Sequence, residues 1–217
     1  MFKLWTHPPR PNIMTDKKEH ILNKAIELFA VKGFEGTSIR DLAAAAEVNV
    51  AMINYYFGSK EKLFEALVEK KSIATRGILD GIAGDQRINS MQKIIQVIET
   101  YVERLFSHRM FHRLIHQELM LGNREALQDI IVDMLFPNSL IIKGIIETGI
   151  RSGEFRQVDP ELTVGSLVGT IHQVLQSKKF CNRFINREAA YVPYDDPGFR
   201  RRVINHLTKL MEHHLLK

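Results

Sequence analysis

Two short helices joined by a tight turn are predicted by residues 33–57, which read GFEGTSIRDLAAAAEVNVAMINYYF. The opening glycine followed by an aromatic residue is typical of a helix end, where glycine adopts a left-handed backbone. Thr37 or Ser38 can cap a first short helix that runs through the four alanines, and Asn49 can cap a second, Val50–Phe57. Paired short helices of this kind are typical of a helix-turn-helix, whose second helix can enter a DNA major groove.

The apolar residues of this stretch predict how the two helices pack. The alanines allow close approach of the two backbones, and a small core is predicted from Ile39, Leu42, Val48 and Ile53. Phe57 is also predicted to be core. The rest of the second helix then faces outward and carries no charged residue. A structural helical corner with no role in DNA binding is the alternative for this segment.

The flanking segments predict a division of the chain into domains. Asp16 and Glu19 form a capping-box pattern at the start of a first long helix, and Ser59 can cap a fourth, linking helix over about 59–80. Residues 1–14, MFKLWTHPPRPNIM, contain three prolines and are predicted to be a flexible arm. We therefore expect a helix-turn-helix domain over 15–62 and a second domain over 63–217.

The second domain also has helical spacing of its apolar residues. No proline occurs between residues 12 and 136, and no strand alternation or hairpin signal is evident. A polar loop is predicted around Cys181–Pro197. The chain is thus predicted to be all-α with about nine helices, those of the second domain being Ser90–Ser107, Met110–Leu121, Arg124–Ile150 with a kink at Pro137, Pro160–Lys178 and Gly198–Leu216.

Composition narrows the possible classes of protein. Apolar residues make up 45% and charged residues 25% of the 217 positions, which excludes a disordered chain. The single cysteine, Cys181, cannot form an intramolecular disulfide, so a reducing, cytoplasmic location is expected. No apolar run is long enough to predict a membrane span. The net charge is +5, yet residues 15–62 contain seven basic and seven acidic side chains, so bulk charge does not identify a partner.

The order of motifs from Thr15 to Val68 resembles that of the TetR-type (tetracycline-repressor-like) transcriptional regulators. The resemblance is carried by Gly33–Ala43, by Val48 with Ile53–Phe57, and by SKEKL at residues 59–63. Beyond Glu69 it is one of architecture alone. It implies a homodimeric repressor that binds a palindromic operator in double-stranded DNA and releases it when a small molecule binds. It implies neither an enzyme nor a cofactor.

The resemblance also implies roles for individual residues. Thr37, at the start of the second helix, would bind a DNA phosphate, as would Tyr56 and Lys60. Arg40 would reach the DNA backbone or the groove. Many family members have Lys-Gly where this chain has Val50-Ala51, and commonly Tyr where it has Asn54. Since Asn pairs with adenine and apolar side chains contact thymine methyl groups, a site rich in A·T is expected. The base-reading surface would consist of Asn49, Val50, Ala51, Met52, Asn54 and Tyr55.

Two late helices are predicted to form a homodimer interface. The Pro160 helix has apolar residues on more than one side, and the last helix has a similar stripe, so a four-helix bundle with the symmetry mate is expected. Burial within one subunit is the alternative. The predicted interface residues are Leu162, Gly165, Leu167, Val168, Ile171, Val174, Leu175, Val203, Leu207 and Leu210.

A pocket for a small hydrophobic or aromatic effector is predicted beside the fourth helix. Its candidate walls are mostly apolar, with a few polar groups that could orient a bound molecule. Plain core packing is the alternative for each residue. The candidates are Ile98, Tyr101, Leu114, Glu118, Ile131, Met134, Leu135 and His172.

Other functions stay open at this point. His108, His112 and His116 recur every four residues, a spacing at which histidines can bind zinc, so a helical metal sensor or enzyme is an alternative. An activator or adaptor on the same fold is another. Phosphate-binding glycine loops, nucleophile elbows and zincin motifs are absent from the sequence, which disfavours an enzyme.

Overall fold

A computed structural model describes residues 13–121, 124–175 and 177–217, with side chains from residue 16 onward except at Val174 and Leu175. Most of the predicted arm, and the two interface side chains just named, therefore lie outside the described residues. The described residues form α-helices and one short 3-10 turn, without a strand, which confirms the all-α prediction. The helices are α1 (Ile13–Lys32), α2 (Ile39–Ala45), α3 (Val50–Phe57), α4 (Lys60–Gly84), α5 (Ser90–Ser107), α6 (Arg109–Met120), α7 (Glu125–Arg151), α8 (Pro160–Leu175), α9 (Lys178–Phe184) and α10 (Pro197–Leu215).

The structure differs from the predicted elements in two places. The helix α1 begins at Ile13, so the last two positions assigned to the arm are helical. The helix α9 occupies part of the predicted loop, which raises the helix count within the described residues from about nine to ten. Its start is fixed by Ser177, whose Oγ accepts a hydrogen bond from the Phe180 N–H at 3.3 Å.

The chain divides into two compact units, with the boundary between Leu67 and Val68. The N-terminal unit contains α1 to α3, and the C-terminal unit contains α5 to α10. The helix α4 contributes residues to both. Among the described helices, none combines the length and the apolar character needed to cross a membrane.

Three phenylalanines form the centre of the N-terminal unit. Phe29 of α1, Phe34 of the following turn and Phe64 of α4 are at most 3% exposed, and their ring centroids lie 5.4–5.9 Å apart. The turn that carries Phe34 depends on Gly36, because a Cβ at this position would lie 2.3 Å from the Lys32 carbonyl oxygen. Glycine is therefore required where the chain leaves α1 for α2.

The C-terminal unit is built around α5, which packs against α7, α8 and α10. Its start is held by a distant carboxylate: the side chain of Glu154 accepts hydrogen bonds from the Ser90 and Met91 N–H groups, both at 2.9 Å. These donors have no partner within their own helix, so the contact satisfies two backbone groups that helix formation leaves over. The loop after α7 and the start of α5 are thereby fixed to each other.

The midpoint of α4 is hydrogen-bonded to the region of α7 that contains Pro137. The Met134 carbonyl oxygen accepts hydrogen bonds from the Ser72 hydroxyl and from Nη2 of Arg76, the latter at 3.0 Å. Nε of Arg76 donates to Oδ1 of Asn138 at 3.3 Å. Because proline has no N–H to donate, α7 is weakened at this level, and the side chains of α4 contact it there. We call these contacts the α4–α7 joint.

Candidate functional site

The start of α2 is fixed by a reciprocal pair of hydrogen bonds. The Ser38 hydroxyl oxygen accepts from the Asp41 N–H at 3.1 Å, and the Asp41 carboxylate accepts from the Ser38 N–H at 2.9 Å. The hydroxyl of Ser38 and the ammonium group of Lys32 hold the pKa of the Asp41 carboxyl well below its usual range. The carboxylate therefore stays ionised at neutral pH, and the capping box keeps α2 in place.

The helix α3 has one buried and one exposed side, as the sequence predicts. Ile53 is fully buried and Phe57 is 8% exposed, so these two residues anchor the helix. Tyr55 is 74% exposed and Val50 is 37% exposed. The other predicted base-reading residues are Asn49, Ala51 and Asn54, which are exposed, and Met52, which is half-buried.

Asn49 has a structural role in addition to its predicted one. Its Oδ1 accepts a hydrogen bond from the Met52 N–H at 2.8 Å, which caps α3. Its amide group faces solvent at the end of the helix that a major groove would meet first. The cap thus engages one of the two lone pairs of this oxygen.

The predicted phosphate contacts are only partly available. Thr37 is fully buried and its hydroxyl donates to the Gly33 carbonyl oxygen at 2.8 Å, so it does not present a donor to DNA. The exposed hydroxyl at the start of α2 belongs to Ser38. Nζ of Lys60 donates to the Phe34 carbonyl oxygen at 3.1 Å, and the same nitrogen lies 4.2 Å from the centroid of the Phe34 ring. Arg40 is exposed and Tyr56 is half-buried.

The predicted effector residues fall into two groups. Ile98, Leu114 and Ile131 are at most 1% exposed and belong to the core. Glu118 is also buried, and its Oε2 lies 2.5 Å from Nη1 of Arg124, so the carboxylate is held in an ion pair and does not face a pocket. Met134 contributes its carbonyl oxygen to the α4–α7 joint. The remaining three residues, Tyr101, Leu135 and His172, line one cavity.

This cavity lies inside the C-terminal unit and has a volume of about 190 Å³. We call it the cationic cavity, because its described lining includes five basic side chains and neither Asp nor Glu. A dry cavity of about 150 Å³ is known to hold benzene, so the space suffices for a small ring. The basic residues are Lys71, Arg104, His108, His112 and His172, and the other lining residues are Thr75, Tyr101, Leu105, Phe111, Leu135, Asn138, Ser139 and Val168.

The histidines of the cationic cavity are held in their neutral form. Burial lowers the pKa of His112 to about 3, and the nearby His172 and His108 lower it further. Burial also lowers the pKa of His172, helped by His116, and that of His108, helped by Lys71 and Arg104. Desolvation and surrounding positive charge both disfavour the protonated ring. The positive charge of the cavity therefore comes from Lys71 and Arg104, and it favours an anion over a cation.

The histidine spacing that suggested zinc does not produce a metal cluster. His108 lies between α5 and α6, at the end of one helix and the start of the next. The rings of His112 and His116 both approach His172, with centroids 6.4 Å and 6.1 Å away. Within the part of the chain that the structure describes, no group of three or more His, Cys, Asp or Glu side chains could hold a metal ion.

The predicted interface residues also divide into buried and exposed sets. Leu167, Ile171, Val203 and Leu207 are at most 7% exposed and pack inside the subunit, so burial within one subunit accounts for them. Val168 is half-buried and lines the cationic cavity. Leu162, Gly165 and Leu210 remain exposed.

An apolar groove of about 620 Å³ lies between α8, α9 and α10. Phe180 and Phe184 of α9 form one wall, and their rings stack with centroids 6.0 Å apart. They are 53% and 81% exposed. The sequence predicts a polar loop around Cys181–Pro197 where the second half of α9 lies, so its pattern does not identify these two side chains.

Both units match known families in sequence. Residues 21–67 match the tetR family of bacterial regulatory proteins, and residues 85–209 match the tetracyclin repressor-like C-terminal domain. The probable HTH-type transcriptional regulator YttP of Bacillus subtilis (strain 168) is 32% identical over 139 residues, which cover 64% of this chain and 67% of YttP.

Solved structures share the fold at lower sequence identity. The transcriptional regulator FadR of Bacillus subtilis, crystallised in complex with stearoyl-CoA, is 22% identical, with a TM-score of 0.70 over 88% of this chain and 97% of that one. The ketosteroid transcriptional regulator KstR2 of Mycobacterium tuberculosis is 17% identical, with a TM-score of 0.70 over 93% of this chain and 95% of that one. Since the sequence matches span both units and the C-terminal match alone covers more than half of the chain, this protein belongs to the TetR family of transcriptional regulators.

Proposed function

We propose that this chain is a repressor that binds a palindromic operator as a homodimer and releases it when a small molecule enters the cationic cavity. Regulators of the TetR family bind DNA operators, dimerise and bind small-molecule effectors. The observation that carries the proposal is the exposed, uncharged side of α3, which Ile53 and Phe57 hold in place from below. An exposed tyrosine at its centre is typical of a contact surface.

The chemistry of α3 favours recognition of A·T pairs. Asn54 is exposed and can form a bidentate pair with adenine, while Val50 and Ala51 can contact thymine methyl groups. The contacts to phosphate are assigned to the Tyr56 hydroxyl and to the exposed Ser38. In a dimer, two α3 helices would enter successive major grooves about 34–36 Å apart, so each half of the operator would be read identically.

Replacing Asn54 with alanine is expected to relax the preference at one base pair by about 1–3 kcal/mol, because one base-edge contact is lost. Tyr56→Phe keeps the ring and removes the hydroxyl, so it should weaken binding to all sequences alike. Mobility-shift titration against the DNA upstream of the gene, and against single-base variants of it, measures both effects. Uniform weakening by Asn54→Ala would show that Asn54 does not read a base.

The groove between α8, α9 and α10 is the proposed place for the second copy. Exposed apolar side chains concentrate on these helices: Leu162 is 70% exposed, Phe184 is 81% exposed and Leu210 is 40% exposed. An exposed apolar surface is typical of a protein interface. A two-fold axis would bring the same surface of each subunit together, which gives a closed dimer.

Replacing Phe184 with glutamate is expected to dissociate the dimer at micromolar concentration, because the interface would have to bury an unpaired carboxylate. Lys179→Glu introduces the same charge at an exposed polar position of the same helix and should leave the dimer intact. Sedimentation velocity measures the outcome. A second exposed apolar stripe on α7 includes Phe136, which is 56% exposed. If Phe136→Glu dissociated the dimer and Phe184→Glu did not, the interface would lie on α7 and the proposed place would be wrong.

The effector is assigned to the cationic cavity because α4 forms part of its wall. Lys71 and Thr75 of α4 line the cavity, and the same helix begins at Lys60 in the N-terminal unit. A molecule that contacts α4 can bind more tightly to the protein when this helix has one orientation than when it has another. It shifts operator binding only if its affinity differs between the two states. The test is release of operator DNA in a mobility-shift assay when candidate molecules are added.

A further inference from the structure

We infer that the cationic cavity binds a small organic anion, with its carboxylate or phosphate group at Arg104 and its apolar part against Leu105 and Val168. The inference deepens the proposed function, on which it rests, by naming the chemical class of the effector. The hydrophobic or aromatic effector expected from the sequence fits the apolar part of the lining alone. Glu118, which was predicted to line the pocket, is paired with Arg124 and lies outside the cavity.

The charge balance of the cavity is the first argument. Arg104 brings a permanent positive charge to the lining and Lys71 is a second basic residue there, while burial keeps the three histidines neutral in the free protein. Among the described lining residues there is neither Asp nor Glu. Positive charge in a partly desolvated cavity raises the local concentration of anions and strengthens their binding.

The geometry of Arg104 is the second argument. Its Nη2 donates to the Ala74 carbonyl oxygen at 2.8 Å, which fixes the guanidinium group against α4. Its Nε is buried and has no hydrogen-bond partner within the described part of the chain. An unsatisfied buried donor is costly in a folded protein, and a planar guanidinium matches a carboxylate or phosphate. An anion that reaches Nε would satisfy this donor.

An adjacent cavity extends the basic surface. It has a volume of about 170 Å³ and shares Leu105, His112 and His172 with the cationic cavity. Arg109 and Arg113 line its other side, again with no carboxylate among the described lining residues. The two spaces thus share His112 as a common wall.

Binding of an anion is expected to be coupled to proton uptake. The charged or titratable groups that face His112 are His172 on α8, His108 at the start of α6, Lys71 on α4 and Arg104 on α5. All of these are basic, so they lower the pKa of His112, and an anion placed among them would raise it again. At acidic pH, near the raised pKa, the complex then holds more protons than the free protein, and affinity increases as the pH falls through this range.

The experiment uses three ring compounds of similar size: benzoate, phenyl phosphate and the neutral benzamide. Calorimetry is expected to give binding of at least one anion about tenfold tighter than that of benzamide, the ratio expected from one charge-assisted hydrogen bond. The comparison of benzoate with phenyl phosphate tells a carboxylate effector from a phosphorylated one. Titration in two buffers of different ionisation enthalpy is expected to show proton uptake.

Variants locate the binding. Arg104→Gln and Lys71→Met should each remove the preference for the anion, and the second keeps the aliphatic packing in case the first variant unfolds. Arg87→Gln removes an exposed arginine outside the cavity and should change nothing. The inference is overturned if benzamide binds as well as both anions, if neither anion binds, or if the preference survives in both cavity variants. The same samples are also tested for operator binding. If they bind the operator but show no preference for an anion, the inference fails while the proposed DNA binding stands.

Discussion

Replacing Phe64 with alanine is expected to unfold the N-terminal unit and so abolish operator binding. Phe64 is fully buried, and its ring lies between those of Phe29 and Phe34, with centroids 5.9 Å and 5.4 Å away. Truncation of a buried phenylalanine costs about 3–5 kcal/mol, which is comparable to the whole stability of a small unit. Urea unfolding and the mobility-shift assay measure the two effects.

Phe64→Leu is the matched control, because leucine keeps most of the buried volume and should cost much less stability. Hydrogen exchange provides a test of location: in Phe64→Ala the amides of α1 to α3 should lose protection, while those of α5 and α10 keep it. Normal operator binding by Phe64→Ala would mean that the three rings do not hold this unit together.

Replacing Arg124 with alanine is expected to lower the free energy of unfolding of the C-terminal unit by about 3–5 kcal/mol. The Glu118 side chain is fully buried, whereas that of Arg124 is 20% exposed, and the two groups lie 2.5 Å apart. Removal of the arginine would take away the positive charge that lies 2.5 Å from a buried carboxylate. Urea unfolding measures the loss.

A second substitution isolates the charge. In the double variant Glu118→Gln with Arg124→Ala the buried group is neutral, so much of the lost stability should return. Arg124→Lys retains the charge with a different geometry and should fall between the wild type and Arg124→Ala. Equal stability of the single and double variants would show that the ion pair does not determine the effect.

The sequence predicted the N-terminal unit well because its signals are local. The cap of α2 was predicted at Thr37 or Ser38 and that of α3 at Asn49, and Ile53 and Phe57 were predicted to be core. Each of these signals depends on residues within a few positions of one another. Thr37 shows the limit of such signals. The hydroxyl of a threonine at the start of a helix can face solvent or donate to a carbonyl oxygen of the preceding turn. That the Thr37 hydroxyl donates to the Gly33 carbonyl oxygen is evident only from the structure.

The candidate sites of the C-terminal unit could be predicted only in part. Tyr101, Leu135 and His172 line one cavity, but its basic character comes from Lys71 and Arg104. Lys71 lies on α4, thirty residues before Tyr101, and no periodicity relates the two. Arg104 lies three residues after Tyr101 on α5, within reach of helical periodicity, but its charge set it apart from the apolar residues predicted to form the wall. Glu118 illustrates the same difficulty, since a buried carboxylate in a helix gives no sign of its arginine partner.

The α4–α7 joint has a mechanical consequence. Ser72 lies at the midpoint of α4, twelve residues from Lys60 and twelve from Gly84. Each half is therefore about 18 Å long at 1.5 Å per residue. The half of α4 beyond Ser72 is also held by α5, since Nη2 of Arg104 donates to the Ala74 carbonyl oxygen at 2.8 Å and Nζ of Lys93 donates to the Ala83 carbonyl oxygen at 2.7 Å. Leu79 and Ile82 of the same half are buried in the core. From Ser72 onward α4 is therefore fastened to two neighbouring helices, so a displacement of α5 or α7 at these contacts would have to displace α4 as well.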